Sequence, residues 1–430
     1  MTSTQQSSAT EDRVAVLLMG YGEVESYDDF ANYNEQALNL LTAKFAPVPT
    51  WIYPPLAKLL AMFDLHEWSH QHGKFVSPHN AIFEAQRTGI ENCLQQRWGE
   101  KVKVFKAFNF CAPHLPEQVL EQIKLEGFSK LLIYPLLVVD SIFTSGIAVE
   151  QVNDALTKLS DPGEHWLKGT RYIPSFYNRD KYITLLANLV EEKIEKDLAV
   201  AHLPSQTGII LLNHGCPHEA KGFTSGIDES QKLYEAVREK LIHKYPLISI
   251  GWMNHDTPLI DWTQPNMALA GQNIIDLGAT ALVMMPIGFA TENHETLLDV
   301  DHIIHKLRRK NPQVTFVQMD CVNDHPEFMQ MAADWADTHI QALLEAEPVT
   351  VSTQAREAAL AQSLAHSHHG NHAHDHHSHH HHAHDHHNHN HHSHNHHSHN
   401  NAHSHSHEAN EHHPESTAKE ERTEQHAHHH

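Results

Sequence analysis

Ala281-Leu-Val-Met-Met-Pro286-Ile-Gly-Phe-Ala-Thr-Glu-Asn-His294-Glu295-Thr-Leu-Leu-Asp299-Val-Asp301-His302 carries the reading on which the fold turns. The apolar run that stops at Pro286 predicts a buried strand. A short polar loop follows, and then a segment with helical spacing. Glu295, Asp299 and His302 fall at i, i+4 and i+7, which predicts two carboxylates and an imidazole on one helical face. That helix would start at the carboxyl end of a strand, where open α/β sheets place their ligand crevice. Such a set can move protons or hand on a divalent metal. A solvated helix face beside a sheet meets the same spacing.

Outward from this stretch the same pattern recurs. Leu131 to Val139 is another continuous apolar run, interrupted by Pro135 and followed by Asp140-Ser141-Ile-Phe143-Thr144-Ser145-Gly146 and a helix through Leu159. Val14 to Met19, ending in Gly20-Tyr21-Gly22, is echoed by Gly208 to Asn213, ending in His214-Gly215. Strands near Val102–Ala107, Tyr172–Phe176, Ile248–Trp252 and Val314–Gln318 alternate with helices expected over 81–97, 117–126, 179–197, 229–244, 265–277 and 326–346. Continuous apolar strands alternating with helices predict parallel sheets covered on both faces. The expected architecture is therefore α/β: two similar Rossmann-like domains with parallel sheets, at 13–180 and 205–345, and a ligand cleft between them. Residues 1–12 and 350–430 read as disordered.

Composition narrows the function. The formal net charge of −23 with His neutral argues against nucleic acid as a partner. Cys93, Cys111, Cys216 and Cys321 are scattered, so neither a disulfide framework nor an iron–sulfur cluster is expected. The polar start of the chain predicts no secretory leader, and no apolar run reaches the ~18–20 residues that span a bilayer. The expected location is cytoplasmic, with peripheral membrane contact left open. No G-x-x-x-x-G-K-[ST] or G-x-G-x-x-G is present.

His214 ends a strand beside a tight turn and can exchange protons near neutrality or bind a metal. A structural His bonded to backbone is the plain alternative. Cys216 lacks a base and an orienting group in sequence, which speaks against a nucleophile. His66, His70, His72 and His79 are loosely spaced and read as surface histidines. Tyr21, Ser141, His214 and Glu295 would face one crevice. Tyr21, Ile142, Phe143, Trp252, Trp262 and Phe289 would surround it, as suits a large, flat, apolar ligand whose centre exchanges protons for a metal ion.

These residues resemble the ferrochelatase family, whose members insert Fe(II) into protoporphyrin IX. Val16-Leu-Leu-Met-Gly-Tyr-Gly22 resembles the family's first strand and porphyrin-contacting loop, and Tyr134 to Gly146 its middle loop. Leu212-Asn-His214-Gly-Cys-Pro217 resembles S-A-H-[GS]-x-P around the catalytic His. Gly251 to Pro265 resembles the G-W-Q-S…P-W-x-x-P segment. Pro286 to Leu297 resembles P-[IV]-x-F-x-x-[DE]-H-x-E-[TV]-L, which holds the catalytic Glu. The likeness covers residues 13–345. It departs at Asn213, where a small residue is usual, at Met253 and His255, and over 50–80.

The resemblance implies a lyase of haem synthesis. His214 and Glu295 would be catalytic, Tyr21, Ser141, Phe143, Trp252 and Trp262 would contact the porphyrin, and His214, Glu295, Asp299 and His302 would handle the metal. Fe²⁺ would be a substrate, with no permanently bound cofactor, and protoporphyrin IX or a related tetrapyrrole the partner. Two other functions stay open. One is a cobalt or nickel chelatase acting on sirohydrochlorin; the other is a non-catalytic tetrapyrrole- or metal-binding protein. From His366 to His430, 30 of 65 residues are His. This polar tract, with Asp375 and Asp385 in it, predicts loose binding of several divalent ions by imidazole.

Overall fold

Eight short segments, most of them apolar, become strands, and their pairing builds the molecule. In the computed structural model β1 (Val14–Gly20), β2 (Val102–Phe108), β3 (Lys130–Pro135) and β4 (Gly169–Tyr172) form one parallel sheet in the order β2-β1-β3-β4. β5 (Thr207–His214), β6 (Leu247–Met253), β7 (Ala281–Pro286) and β8 (Thr315–Gln318) form a second in the order β6-β5-β7-β8. The two sheets have identical topology, as the recurring strand pattern predicts. The structure describes residues 12–25, 76–160, 166–217, 225–254 and 261–346, with scattered positions between 29 and 62. His66, His70, His72, His255 and the histidine-rich tract lie outside them.

The central strands are apolar end to end because both faces are covered. Every residue of β1, β3 and β7 is buried, and β5 is buried up to His214. The helices are α1 (His79–Trp98), α2 (Pro116–Leu125), α3 (Ile147–Leu159), α4 (Asp180–Asp197), α5 (Ile227–Leu241), α6 (Met267–Asp276), α7 (Val300–Lys310) and α8 (Pro326–Glu345). One core cluster runs through both sheets and takes in Phe83, Leu132, Leu186, Leu211, Val237, Met285 and Phe328. The last helix, α8, packs back on α1, α4 and β3. Tyr134 donates to Ala332 O at 3.3 Å and Trp98 to Asp337 at 2.7 Å. The two sheets are thus tied by a helix that chain order assigns to the second.

Two details depart from the sequence reading. The strand expected at Tyr172–Phe176 ends at Tyr172, and Ser175 instead turns to bond the buried Asp140 carboxylate at 2.8 Å. The helices after β3 and β7 each begin with a wide π turn, at Ile142–Gly146 and Glu295–Asp299, before regular α-helix resumes. Each π turn carries an extra residue per turn, and such turns recur at functional sites.

Candidate active site

The register of the sheets shows which residues correspond. Met19 pairs with Pro135, and Leu212 with Pro286. Two residues on, Tyr21 and His214 therefore occupy equivalent strand ends. The turns after β3 and β7 are capped alike. Ser141 N donates to Thr144 Oγ1 at 3.0 Å, and Ser141 Oγ accepts from Phe143 N at 3.2 Å. Asn293 N donates to Thr296 Oγ1 at 3.0 Å, and Asn293 Oδ1 accepts from Thr296 N at 2.8 Å. The two residues between each polar cap and its Thr are Ile142-Phe143 in one half and His294-Glu295 in the other.

These four strand ends open on one cleft with a cavity of about 140 Å³. Tyr21, Phe143, Leu137, Val139 and Phe289 supply its apolar walls, and His214, Glu295, Ser141 and Asn293 its polar groups. The pocket is mostly apolar with a few convergent polar groups, the composition of a small-molecule site. His214 Nε2 and Glu295 Oε1 stand 3.5 Å apart, and the His214 side chain is 44% exposed to the cleft. His214 Nδ1 bonds Gly215 O at 2.6 Å. A carbonyl only accepts, so Nδ1 carries a hydrogen and Nε2 is left to exchange protons. Burial lowers the pKa of His214, but the charge of Glu295, its hydrogen bond, the Gly215 carbonyl and Asp299 together move it upward. Asn293 Nδ2 also approaches Glu295 Oε2, at 3.4 Å. Tyr21 is raised by burial and by the charges of Glu295 and Glu23, so its hydroxyl keeps its proton.

Tyr21, Ser141, Phe143, His214 and Glu295 thus meet, as the sequence predicts for one crevice. The two tryptophans stand elsewhere. Trp252 is 3% exposed, with its backbone N–H donating to Pro265 O at 3.0 Å, and Trp262 forms a backbone bridge to Pro217. Neither borders the cleft. Asp299 closes the π turn and acts on His214 through its charge, while His302 lies in α7, half-buried and away from the cleft lining. Glu295 and Asp299, at the two ends of the π turn, both bear on His214, while His302, three residues further into α7, does not line the cleft. Among the described residues no group of three or more His, Cys, Asp or Glu side chains stands ready to hold a metal ion. Burial pushes the Cys216 thiol up to about 11, which removes it as a nucleophile.

Sequence reasoning missed a second acid–imidazole pair. Glu23, 4% exposed after β1, pairs with His294 Nδ1 and accepts from His294 N at 3.1 Å and from Ser77 Oγ. Burial opposes the Glu23 charge, but His294, His79 and Ser77 outweigh it and hold the carboxyl below its ordinary range. Burial likewise opposes a charged His294, yet Glu23, Glu295 and Asp299 raise it to about 10. His79 is no surface histidine. It is 5% exposed, accepts from Gly22 N at Nε2 (3.3 Å) and donates from Nδ1 to Glu292 O (3.0 Å), and burial moves its pKa downward against the pull of Glu23 and the Glu292 carbonyl. The signal for His294 lay in the family pattern itself. P-[IV]-x-F-x-x-[DE]-H-x-E puts its histidine at position 293, which is Asn here, and the imidazole comes one residue later.

Asn213, directly before His214, is fully buried, and neither side-chain amide atom has a hydrogen-bond partner. Its carbonyl oxygen fits because residue 288 is Gly; a Cβ there would meet it at 2.7 Å.

Fold and site together define an α/β enzyme of two matching sheets, with an acid–base couple set against an aromatic wall. The family model described as Ferrochelatase matches residues 13–340, about three quarters of the chain. A ferrochelatase of Synechococcus elongatus is 26% identical over 340 residues, covering 76% of this chain and 83% of its own length. The chloroplastic ferrochelatase-2 of Arabidopsis thaliana is 25% identical over 358 residues, covering 79% of this chain and 65% of its own. Among solved structures, SirB from Bacillus subtilis with Fe3+ aligns with a TM-score of 0.45 at 10% identity, covering 76% of this chain and 94% of that one. This chain belongs to the ferrochelatase family. It is a metal chelatase, a lyase of haem biosynthesis whose substrates are a tetrapyrrole and a divalent metal ion.

Proposed function

We propose that the cleft binds protoporphyrin IX and inserts Fe(II), with His214 and Glu295 taking the two pyrrole protons that leave. The observation that carries this reading is the 3.5 Å pairing of His214 Nε2 with Glu295 Oε1 in a cleft walled by Tyr21, Phe143 and Phe289. Porphyrin N–H groups are weak acids, so their departure needs acceptors held close and shielded from bulk water. An imidazole whose other nitrogen is fixed on Gly215 O presents Nε2 as one acceptor, and the carboxylate is the second. Binding of the macrocycle's apolar rim would supply the energy that distorts the ring and exposes its nitrogen lone pairs. Iron is a substrate and no resident cofactor is invoked. Asp299 and His302 are proposed to pass metal or protons between the turn and solvent.

Purified protein given protoporphyrin and Fe(II) or Zn(II) tests the assignment. His214→Ala and Glu295→Gln should each abolish most insertion, and wild-type rates in both would overturn it. Running sirohydrochlorin with Co(II) and Ni(II) alongside separates the other chelatase chemistry. Residues 366–430 are proposed to gather divalent ions by imidazole. Deleting them should slow turnover at limiting metal if they deliver it, or sharpen inhibition by Zn²⁺ and Ni²⁺ if they scavenge competitors. Peripheral membrane contact is proposed for the segment with Trp51, Leu59 and Met62, which are 75%, 50% and 68% exposed. Among the described residues no helix is long and apolar enough to cross a membrane. Sedimentation with anionic vesicles, before and after Trp51→Ser and Met62→Ser, tests that contact.

A further inference from the structure

We propose that Glu23 and His294 form a catch between the two halves that sets Glu295 opposite His214, making both positioning residues for metal insertion. The inference rests on the chelatase reading of the cleft.

The loop from Ala290 to His294 delivers Glu295, and residues from the first half hold it along its length. Gln86 Nε2 donates to Ala290 O at 2.9 Å, and Thr291 Oγ1 donates to Gln86 Oε1 at 2.8 Å. His79 Nδ1 donates to Glu292 O at 3.0 Å. The last tie is Glu23, which takes both the backbone N–H and the ring Nδ1 of His294. Holding one residue at two points fixes its peptide plane and its side-chain torsion together. Glu295 is the next residue, so its backbone has little freedom left. Glu23 is itself fixed: its N–H donates to Asn80 Oδ1 at 3.0 Å, and its carbonyl accepts from Asn80 Nδ2 at 2.6 Å. The catch therefore runs from α1 through the loop after β1 to the π turn.

With Asn at 293, the residue before the imidazole caps the turn through Thr296 and approaches Glu295. The imidazole at 294 then points to the first half and meets the Glu23 carboxylate. A buried charge pair between sequence-distant elements is costly to break and specific in geometry, as a part that sets one carboxylate to within a fraction of an ångström requires.

The test compares wild type with Glu23→Ala, Glu23→Gln, His294→Ala and the double Glu23→Ala/His294→Ala. Steady-state insertion into protoporphyrin gives kcat and the porphyrin KM. Hydrogen exchange of peptides covering 290–299 reports the catch without any turnover. A misplacement of about 1 Å costs on the order of 100-fold, so each single variant should lose about 10- to 100-fold in kcat. The porphyrin KM should stay within about 2-fold, because the apolar walls that bind the macrocycle are untouched. The double variant should be no more than about 3-fold slower than the slower single, since both remove one catch. Exchange over 290–299 should quicken in each.

Wild-type kcat in Glu23→Ala, additive losses in the double, or a changed KM at constant kcat would overturn the proposal. If Glu23→Ala does not fold, Glu23→Gln, which keeps the side chain's shape, is judged by the same criteria. If wild type inserts no metal, the chelatase reading fails, while exchange over 290–299 still decides whether the catch exists.

Discussion

Ser141-Ile142-Phe143-Thr144 and Asn293-His294-Glu295-Thr296 are one structural device carrying opposite chemistry. Both follow the third strand of a four-strand parallel sheet with the same order, both are closed by a polar cap and a Thr three residues on, and both lead into a π turn. The first presents Phe143 to the cleft and the second presents Glu295. The strand ends beside them differ in the same sense, with Tyr21 against His214. One half thus supplies a wall on which a flat apolar ligand can rest, and the other supplies groups that exchange protons. The difference teaches that backbone repetition fixes where side chains stand, and a few substitutions at those points divide binding from chemistry.

The sharpest way to break this division is at the reacting pair. Glu295→Gln or His214→Ala should cost about 10²- to 10⁴-fold in kcat, the range expected of a general acid–base group. Phe143→Ala should mainly raise the porphyrin KM. If Phe143→Ala lowers kcat as far as Glu295→Gln does, the two halves do not divide the work.

Next in size is the link between halves. Leaving His294 without its buried partner should destabilise Glu23→Ala by about 3–5 kcal/mol. The Glu23 carboxyl is held below its ordinary range in the fold, so it contributes stability above its unfolded pKa of about 4.3, and that contribution disappears as pH falls through the folded value. The gap in unfolding free energy between wild type and Glu23→Gln should therefore close as pH falls from about 5 toward 2. A gap that widens under acid would contradict the pairing.

Gly22 comes third. Its φ is +77°, and a Cβ there would lie 2.5 Å from Phe108 Cβ. Gly22→Ala should cost about 1–2 kcal/mol from the left-handed backbone alone and more from the clash, read as a lower Tm.

The caps sharpen the comparison further. Ser141→Ala and Asn293→Ala should each cost about 1 kcal/mol in stability, the usual loss of an N-cap. Asn293→Ala should also lower kcat, because that cap approaches a catalytic carboxylate, while Ser141→Ala, in the wall of the cleft, should act on the porphyrin KM instead. The smallest effect is expected at Asn213. A buried amide without partners is unfavourable by about 1–3 kcal/mol, which offsets the packing lost on truncation, so Asn213→Ala should match or exceed wild type in Tm.

Seven of the eight strands were legible as largely apolar or alternating runs bounded by Gly, Pro or polar residues, whereas β4, Gly-Thr-Arg-Tyr, carries no such run and lies before the expected Tyr172–Phe176. The matching order of the halves followed from the recurrence of Gly20-Tyr21-Gly22 in His214-Gly215 and of Pro135 in Pro286. His214 and Glu295 were legible as strand-end residues with the chemistry a crevice needs. Trp252 and Trp262 were misplaced, since an aromatic near a strand end packs into a core as readily as it faces a cleft. His302 does not line the cleft with Glu295, because periodicity assumes 3.6 residues per turn and the π turn at Glu295 does not keep it.

The amino-acid order by itself thus determined the strands, their repetition and the residues placed at strand ends, all set by local hydrophobic pattern and short-range turn chemistry. The tertiary structure alone decided that Glu23 reaches His294 across 271 positions, that His79 bridges Gly22 to Glu292, and that α8 returns to the first sheet. Such ties depend on which distant surfaces meet when two sheets share one core. No local pattern encodes that meeting, because a buried carboxylate and its imidazole look in sequence like any two polar residues in loops.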